Sequence, residues 1–433
     1  MSSPSLARKA LHLHAAVPAG KIEILPTKPC STAEDLSLSY TPGVATPCLA
    51  IRDDAEAAWR LTNRGNLVAV ITNGTAVLGL GSIGALAGKP VMEGKAMLFK
   101  RFAGIDAIDL ELDTTDADRL CDAVSLMEPS FGGINLEDIR APECFEIEER
   151  LRARMKIPVF HDDQHGTAVV VAAALINAFH LTRRVAAEAR IVISGAGAAG
   201  LAIAHLLTQA GCAKRNIILC DIHGVVYKGR AEGMNRWLAP FATTGRARTL
   251  GEAMRGADVF IGVSAAGIVT TAMLAGMAPD PVVLALANPV PEIDPLTARA
   301  ARPDAIIATG RSDVPNQVNN LLGFPFLFRG ALDVRAATID DAMKLAASHA
   351  LADLARRPVP AAVLKAYGLR RLSFGREYLL PRPFDPRLLE TVASAVAAAA
   401  MESGIARAPL PDPVAYRRRL RTLARRLATR FTR

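Results

Sequence analysis

The feature that most constrains the fold is the stretch SGAGAAG at residues 194–200, which follows the apolar run ARIVI and leads into LAIAHLLTQ. A strand, a glycine turn and an immediate helix form the dinucleotide-binding turn of a Rossmann unit, where backbone amides approach a pyrophosphate. An aspartate ends the next apolar run about 20 residues on, where an acid accepts from ribose hydroxyls. We predict coenzyme contacts at Gly195, Gly197, Ala198, Ala199, Gly200 and Asp221.

The segments around this turn alternate regularly. From about residue 166 an apolar helix is followed by the predicted strands ARIVISG, NIILCD, DVFIGV, VVLALANP and AIIATG, with helices between them. This order predicts an α/β fold with parallel β-α-β units in a doubly wound sheet. The first 160 residues are less regular, with strands predicted at NLVAVIT and AIDLEL and a helix at KAMLFKRFAG. We place an N-terminal α/β domain at 1–161, a Rossmann-type domain at 162–400 and a basic tail at 401–433.

A second glycine match lies in GLGSIGALAGKPVMEGK at residues 79–95. Because more glycines and Pro90 follow it, we expect no helix to begin cleanly there. The first match is therefore the only one assigned to the dinucleotide. A Walker A loop is excluded, since Lys89 and Lys95 lack its glycine spacing and its following Ser or Thr.

The net charge of +9 lies mostly in the last 20 residues, which hold eight arginines and no acid. The remaining body balances 43 basic against 42 acidic residues, which is no footprint for nucleic acid. No apolar run reaches the roughly 20 residues that span a membrane. Leu420, Leu423, Leu427 and Phe431 recur at helical spacing, which predicts an amphipathic helix docked on the body or a partner subunit. Membrane or RNA binding by this helix is the less favoured alternative.

The six cysteines show no CxxC pair and no spacing typical of a metal site or a disulfide framework. They are therefore interpreted as free thiols in a reducing cytosol. The N-terminal 20 residues lack the continuous apolar region of a secretory signal, and a short amphipathic helix is favoured there. We expect a cytoplasmic protein.

Two pairs of adjacent acids are candidate ligands for a metal ion: Glu137 and Asp138 in NLEDI, and Asp162 and Asp163 in FHDD. Four carboxylates converging on one cleft would repel one another unless a cation lay among them, and oxygen ligands suit Mg²⁺ or Mn²⁺. Taken alone, each pair is more often a solvated surface or helix-capping feature.

Four other polar side chains are ambiguous when each is considered alone. His161 and His165 flank the aspartate pair, and such histidines are more often hydrogen-bonded framework groups than ligands. Lys95 lies between small residues and can act as a base if burial or a nearby cation lowers its pKa. Tyr40 lies in SLSYTPGVATP, a segment rich in turn residues.

The chain resembles the malic enzyme family, specifically its bacterial type, in seven segments that follow one another in unbroken order from about residue 7 to residue 400. These are SLSYTPGVATPCLAI, TNGTAVLGLGSIGALAGKPVMEGKAMLFKRFAGIDAIDLELD, INLEDIRAPECFEIEERL, VFHDDQHGTA, SGAGAAG, ANPVPEI and GRSDVPNQVNNLLGFPFLFRGALD. Together they are far more specific than any single motif, and they favour the functional interpretation of the acids, the lysine and the tyrosine.

The resemblance implies oxidative decarboxylation of L-malate to pyruvate and CO₂, with reduction of NAD or NADP and dependence on Mg²⁺ or Mn²⁺, in a homodimer or larger homo-oligomer. It implies metal ligands at Glu137, Asp138 and Asp163. It implies catalytic roles for Lys95 as general base, Tyr40 as general acid and Asp162 as an assisting group. Contacts to substrate or nicotinamide are implied at Lys95, Asn288, Asn319 and Asn320, with Asn288 also on the coenzyme side.

The sequence departs from the family pattern in three places. Residues 74–76 read GTA, where larger members carry an arginine that binds a substrate carboxylate. Some bacterial relatives continue into a phosphotransacetylase-like domain, and since this sequence stops at residue 433 we expect regulation through that domain to be absent. Ile222 and His223 follow Asp221, where relatives often have Ser-Lys. Because Asp221 repels a 2′-phosphate and no permanent cation follows directly, we expect use of both coenzymes with a lean toward NAD. Lys228 and Arg230 lie further along, and the sequence does not place their side chains.

Two alternatives remain open. One is a metal-independent hydroxyacid or amino-acid dehydrogenase that shares the Rossmann half. The other is a catalytically silent nucleotide-binding sensor. Metal-dependent release of CO₂ discriminates the three hypotheses.

Overall fold

The structure is a computed structural model that describes residues 4–77, 79–311 and 313–431. The first part of the chain forms α1 (Pro4–Ala15), α2 (Ala33–Ser39), α3 (Ala45–Asp53), α4 (Ala58–Leu61), β1 (Leu67–Thr72), α5 (Ala85–Leu98), β2 (Asp106–Glu111), α6 (Ala117–Leu126), β3 (Gly133–Leu136), α7 (Glu143–Arg154) and β4 (Val159–His161). The middle part forms α8 (Asp162–Thr182), β5 (Ile191–Ser194), α9 (Ala198–Gln209), β6 (Ile217–Asp221), β7 (Gly224–Val225), α10 (Leu250–Met254), β8 (Val259–Gly262), α11 (Thr271–Ala275), β9 (Val282–Ala285), α12 (Pro295–Ala301) and β10 (Ile306–Thr309). The last part forms α13 (Phe324–Asp333), α14 (Asp341–Arg356), α15 (Ala361–Ala366), α16 (Arg387–Glu402) and α17 (Pro413–Arg430).

The strands form two sheets. One has the order β2-β1-β3-β4 and is parallel throughout, and the other has the order β10-β9-β8-β5-β6-β7. In the second sheet only the two-residue β7 is antiparallel to its neighbour, β6. Strands β1, β5, β8, β9 and β10 are buried along their whole length, as expected for parallel strands covered on both faces. The prediction of an α/β fold with a doubly wound sheet is confirmed.

Parallel strands bring their carboxyl ends to one edge of each sheet, and this edge carries the polar motifs. Glu137 follows β3, Asp162 follows β4 and Gly195 follows β5. The two acid pairs therefore start from neighbouring strands, because β3 pairs with β4 in the first sheet.

Helix α8 crosses the centre of the molecule and packs against α9 and α14. It begins five residues earlier than its apolar run predicts, because Asp162 and Asp163 occupy its first turn, where the helix dipole favours acids. By length and composition alone it is long enough to cross a membrane, but 67% of its apolar window is buried inside the protein. We interpret α8 as a core helix.

The expectation that no helix begins after the second glycine match is wrong. Helix α5 begins at Ala85, directly after Gly84, and runs through Pro90 to Leu98. Pro90 lies in the second turn, so the only hydrogen bond it removes is the one to the carbonyl of Leu86. Leu86 is 82% exposed, so water can reach that end of the helix. The predicted helix KAMLFKRFAG is the end of α5 together with a π-helical turn at Phe99–Ala103.

The basic tail forms α17, an amphipathic helix as predicted. Its buried side chains are Tyr416, Leu420, Ala424 and Leu427. The helix packs on α16 and on the π-helical turn of the first half of the chain. Phe431 lies beyond the helix and is 44% exposed, so its predicted place in the apolar stripe is wrong. The division at residues 161 and 400 stays a prediction.

The N-terminal segment from α1 to α3 is the most exposed part of the described chain. Helices α2 and α3 bury no side chain. Large apolar side chains on this segment that are more than half exposed are Leu6, Leu11, Leu13, Val17, Ile24, Leu25, Leu36, Leu38 and Tyr40. Most of this apolar surface has no cover within one chain.

Candidate active site

A cleft of about 890 Å³ lies at the carboxyl ends of the two sheets. Segments that follow β1, β3, β5, β8 and β9 line it. The predicted site residues in its wall are Lys95, Glu137, Asp138, Asp163, Gly197, Ala198, Ala199, Asn288, Asn319 and Asn320. The structure thus brings together side chains and backbone that lie more than 200 residues apart in the sequence.

The three predicted metal ligands form one cluster in this cleft. A carboxylate oxygen from each of Glu137, Asp138 and Asp163 lies within 4.8 Å of the others. The backbone N–H of Asp138 donates to Asp163 Oδ2 at 2.8 Å, and Asp138 itself has a φ of 54°. A positive φ at a non-glycine residue costs about 1–3 kcal/mol and is typical of functional sites. Three hard carboxylate oxygens are the donors that Mg²⁺ or Mn²⁺ prefers, so this set fits such a cation.

The carboxyl groups around the cluster resist ionisation. Burial raises the pKa of Glu137 to about 7 and that of Asp162 to about 7, against the opposing charge of Lys95. Burial also raises the pKa of Asp163, with a further contribution from the charge of Asp162. A divalent cation among them would stabilise the ionised carboxylates, because opposite charge favours the charged form.

Lys95 lies on α5 and is 7% exposed. Its Nζ donates to Asp162 Oδ2 at 2.5 Å, lies 2.7 Å from Glu137 Oε1, and is 4.2 Å from the ring centroid of Phe324. Burial alone lowers the pKa of Lys95, but the charges of Asp162, Glu137 and Asp163 outweigh it and raise that pKa above its ordinary value. The condition for Lys95 to act as a base, a lowered pKa, is therefore not met by burial alone in the protein without a bound cation.

Asp162 is fully buried, and three groups hold it in place. Its Oδ2 accepts from Lys95 and from Asn320 Nδ2, the latter at 2.6 Å. Its Oδ1 lies over Gly166, where an added Cβ would stand 1.8 Å from that oxygen. Gly166 and Phe324 were not among the predicted site residues. A glycine one helical turn after the aspartate is the signal for the first, since residues i and i+4 share a helix face.

The ring of His165 is a hydrogen-bonded framework group, as the sequence favoured, whereas His161 is held through its backbone N–H. His165 Nε2 lies 2.9 Å from both carboxylate oxygens of Glu148, and Glu148 Oε1 also accepts from the backbone N–H of His161 at 3.1 Å. Burial lowers the pKa of His161 to about 4, so this ring is neutral at physiological pH. These contacts fix the end of β4 and the first turn of α8, which carry Asp162 and Asp163.

Tyr40 is not brought into this cleft. It follows α2, is 72% exposed, and does not line the cleft wall. The N-terminal segment contributes His14 and Lys21 to the wall instead. Lys21 Nζ donates to the carbonyl of Pro90 on α5 at 2.5 Å, and Pro90 precedes Lys95 on the same helix. Neither residue was predicted from the sequence.

The glycine turn after β5 has a physical requirement at each glycine. Gly195 has a φ of 106°, and a Cβ there would stand 2.4 Å from the carbonyl oxygen of Val263. A Cβ on Gly200 would stand 1.7 Å from the Gly195 carbonyl oxygen, so this position lets α9 pack on β5. Gly197 faces open space with one atom at 4.0 Å, which leaves room for a pyrophosphate to approach the backbone.

Asp221 lies at the end of β6 as predicted, but it is not alone. Arg230 holds it in a two-pronged pair, with Nη1 to Oδ1 at 2.7 Å and Nη2 to Oδ2 at 2.5 Å. The backbone N–H of His223 also donates to Asp221 Oδ1, at 2.8 Å. The lean toward NAD rested on the two positions after Asp221, which offer no permanent cation, and the contact with Arg230 removes that basis.

Comparison with known proteins gives one family along the chain. A sequence model of the malic enzyme N-terminal domain matches residues 19–152, and one of the malic enzyme NAD binding domain matches residues 164–364. The NADP-dependent malic enzyme of Rhizobium meliloti (strain 1021) is 57% identical over 96% of this chain and 54% of that protein. The NAD-dependent malic enzyme of the same organism is 56% identical, with the same shares covered.

Among solved structures, the malic enzyme from Pyrococcus horikoshii is 41% identical, with a TM-score of 0.87 over 98% of this chain and 95% of that one. The chain spans about half the length of the two Rhizobium relatives. The two relatives are named for different coenzymes at nearly the same identity, so likeness alone does not choose between NAD and NADP.

Proposed function

This chain belongs to the malic enzyme family, and we propose that it converts L-malate to pyruvate and CO₂ with reduction of NAD or NADP and with help from Mg²⁺ or Mn²⁺. The observation that carries the proposal is the single cleft in which Lys95, the three-carboxylate cluster and the dinucleotide turn meet. A hydride acceptor, a cation and a base within one cavity are what this reaction requires.

Each group of residues in the cleft has its own role in the proposed reaction. Glu137, Asp138 and Asp163 would hold the cation, which supplies Lewis-acid polarisation of substrate oxygens. Lys95 removes the proton of the C2 hydroxyl as hydride leaves C2 for the nicotinamide. Asp162 accepts from Nζ at 2.5 Å, so it orients the lysine, and a cation held by the three carboxylates would lower the pKa of Lys95 toward the neutral form that a base requires. Asn288, Asn319 and Asn320 line the wall where the substrate carboxylates and the carboxamide of the nicotinamide need donors.

The second half of the reaction needs an acid at C3. Loss of the C4 carboxylate of oxaloacetate as CO₂ leaves an enolate, and protonation of its C3 gives pyruvate. We propose Tyr40 as that acid, supplied by a second copy of the chain. Its exposure outside the cleft of its own chain, on an N-terminal segment with uncovered apolar side chains, supports a homodimer in which this segment reaches the partner's cleft.

Mixed dimers test this arrangement of Tyr40. The Tyr40→Phe variant is expected to release oxaloacetate or enolpyruvate while forming pyruvate slowly, and Lys95→Ala to be inactive. When the two variants are co-expressed with different affinity tags, hybrid dimers carry one intact site if Tyr40 acts across the interface. Random pairing then restores about a quarter of wild-type activity in the mixture. No recovery in purified hybrid dimers contradicts the proposal, as does full loss of every partial reaction in Tyr40→Phe.

Gly166→Ala tests whether Asp162 must hold Lys95 in place. The added methyl overlaps Asp162 Oδ1 and pushes the carboxylate from its bond to Nζ, so we expect kcat to fall by about 10²-fold, the effect of misplacing a catalytic group by about 1 Å. The matched control is Gly88→Ala on α5, where the nearest atom to the new Cβ is 3.7 Å away. Circular dichroism verifies that both variants fold. Equal activity of the two variants rules out the positioning role.

The assay for the function itself follows formation of NADPH and of NADH from L-malate, with Mg²⁺ or Mn²⁺ and with EDTA. The proposal requires malate-dependent, EDTA-sensitive reduction of at least one coenzyme with pyruvate as product. A metal-independent dehydrogenase reduces the coenzyme in EDTA and releases no CO₂, and a silent sensor reduces neither coenzyme.

We also propose a cytoplasmic location and no nucleic-acid or membrane partner. In the described part of the chain all six cysteines are free thiols, four of them buried. The apolar stripe of the arginine-rich helix α17 packs against α16, so it is not available to a lipid surface.

A further inference from the structure

We propose that Arg230 sets the coenzyme preference: by clamping Asp221 it removes the barrier of that carboxylate to a 2′-phosphate, so the chain uses NADP at least as well as NAD. The inference rests on the proposed function, because it concerns the adenosine end of the same coenzyme site. Nothing in the sequence motif places Arg230 here. The short antiparallel β7 turns the chain back on β6 and brings residue 230 to residue 221.

Most of the hydrogen-bonding capacity of Asp221 is already used within the protein. A carboxylate has about four acceptor positions, two on each oxygen. Oδ1 already accepts from Arg230 Nη1 and from the backbone N–H of His223, and Oδ2 accepts from Arg230 Nη2. One acceptor position therefore remains, whereas selective binding of NAD uses the carboxylate for both ribose hydroxyls. Asp221 can hold one hydroxyl, which weakens its selectivity for NAD.

The negative charge of Asp221 is also compensated by Arg230. The Arg230 side chain is 4% exposed and that of Asp221 is 17% exposed, so the pair is shielded from solvent and its charges compensate each other at short range. A 2′-phosphate therefore approaches an ion pair with no net charge, not an unpaired carboxylate that would repel it. Arg230 Nη1 also donates to the carbonyl oxygens of Gly224 and Val225 at 3.4 Å, and these contacts hold the guanidinium against the carboxylate.

The neighbouring His223 is a weaker candidate for this role. His223 has a half-buried side chain whose Nδ1 lies 3.6 Å from Glu232 Oε2, an acid that would repel a phosphate. A guanidinium keeps its charge at every physiological pH and presents a planar fork that suits carboxylates and phosphates. The preference set by Arg230 is therefore expected to be the same at pH 6 and pH 8.

The test compares Arg230→Met, Asp221→Asn and the double variant with the wild type. For each, kcat/KM with malate is measured for NADP and NAD at pH 6 and pH 8, and coenzyme Kd is measured by calorimetry without malate. Arg230→Met exposes the charge of Asp221 and is expected to lower the NADP-to-NAD ratio by at least about tenfold, mainly through weaker NADP binding. Asp221→Asn frees the guanidinium and raises the ratio. The double variant restores the ratio toward the wild-type value.

The outcomes separate this inference from the proposed function. A wild type that prefers NAD strongly, or an Arg230→Met variant that loses both coenzymes equally, overturns the role of Arg230. If Arg230→Met does not fold, Asp221→Asn decides, since an unchanged ratio in that variant also overturns it. A wild type that binds the coenzymes but does not oxidise malate contradicts the proposed function only, because the Kd ratios still test the clamp.

Discussion

Replacing Lys95 by alanine is expected to slow malate oxidation by about 10²–10⁴-fold, the range for loss of a positioned general base. Nζ is the only nitrogen that approaches both Asp162 and Glu137 in the described structure, so no neighbour can take over the proton transfer. The measurement is the initial rate of NADPH or NADH formation at saturating malate and cation. Thermal stability should fall as well, because buried carboxylates lose their cationic partner.

Lys89→Ala is the matched control for this experiment. Lys89 lies on the same helix, α5, but its Nζ pairs with Asp109 at 2.6 Å and Glu111 at 3.3 Å, and its side chain is 41% exposed. We expect kcat within about threefold of the wild type because Lys89 does not line the cleft, while loss of its pairs with the mostly buried Asp109 and Glu111 lowers thermal stability. A Lys95→Ala variant as active as Lys89→Ala contradicts the assignment of the base.

Asp163→Ala is expected to abolish activity and to remove the thermal stabilisation that Mg²⁺ or Mn²⁺ confers. A ligand at about 100 times its Kd stabilises the folded state by about 2.7 kcal/mol, which raises the melting temperature measurably. Loss of one of three carboxylates leaves two ligands that cannot hold the cation in the required geometry.

The control for Asp163→Ala is Asp353→Ala on α14. The Asp353 side chain is 62% exposed, and its ion pair with Arg356 is long at 3.9 Å. Its cation-induced rise in melting temperature should equal that of the wild type. The ligand assignment is refuted if Asp163→Ala retains that rise, whatever its activity.

The fold was largely predictable from the sequence because buried parallel strands are continuous apolar runs between turns. Strands β5, β6, β8, β9 and β10 all lie where such runs occur. Helix α5 was not predictable from its glycines and proline, because Pro90 in the second turn removes only one helical hydrogen bond and the residue that loses it, Leu86, is exposed. That exposure depends on what packs against the helix, which a single local segment does not contain.

The site was predictable where a motif fixes the backbone and unpredictable where a loop brings distant residues together. The acids follow adjacent parallel strands, so their convergence follows from the sheet. The contact of Arg230 with Asp221 depends on the turn at β7, and the contact of Phe324 with Lys95 depends on where α13 begins. The motif identifies Tyr40 as a candidate acid, but it does not predict that this residue lies outside the cleft of its own chain.

The most direct test of the account is the stoichiometry of CO₂ and reduced coenzyme from L-malate labelled with ¹⁴C in the C4 carboxylate. With Mn²⁺ and NADP or NAD, the account predicts one labelled CO₂ for each coenzyme reduced, and neither product after EDTA until Mn²⁺ is restored. Coenzyme reduction without labelled CO₂, or at an undiminished rate in EDTA, would contradict it.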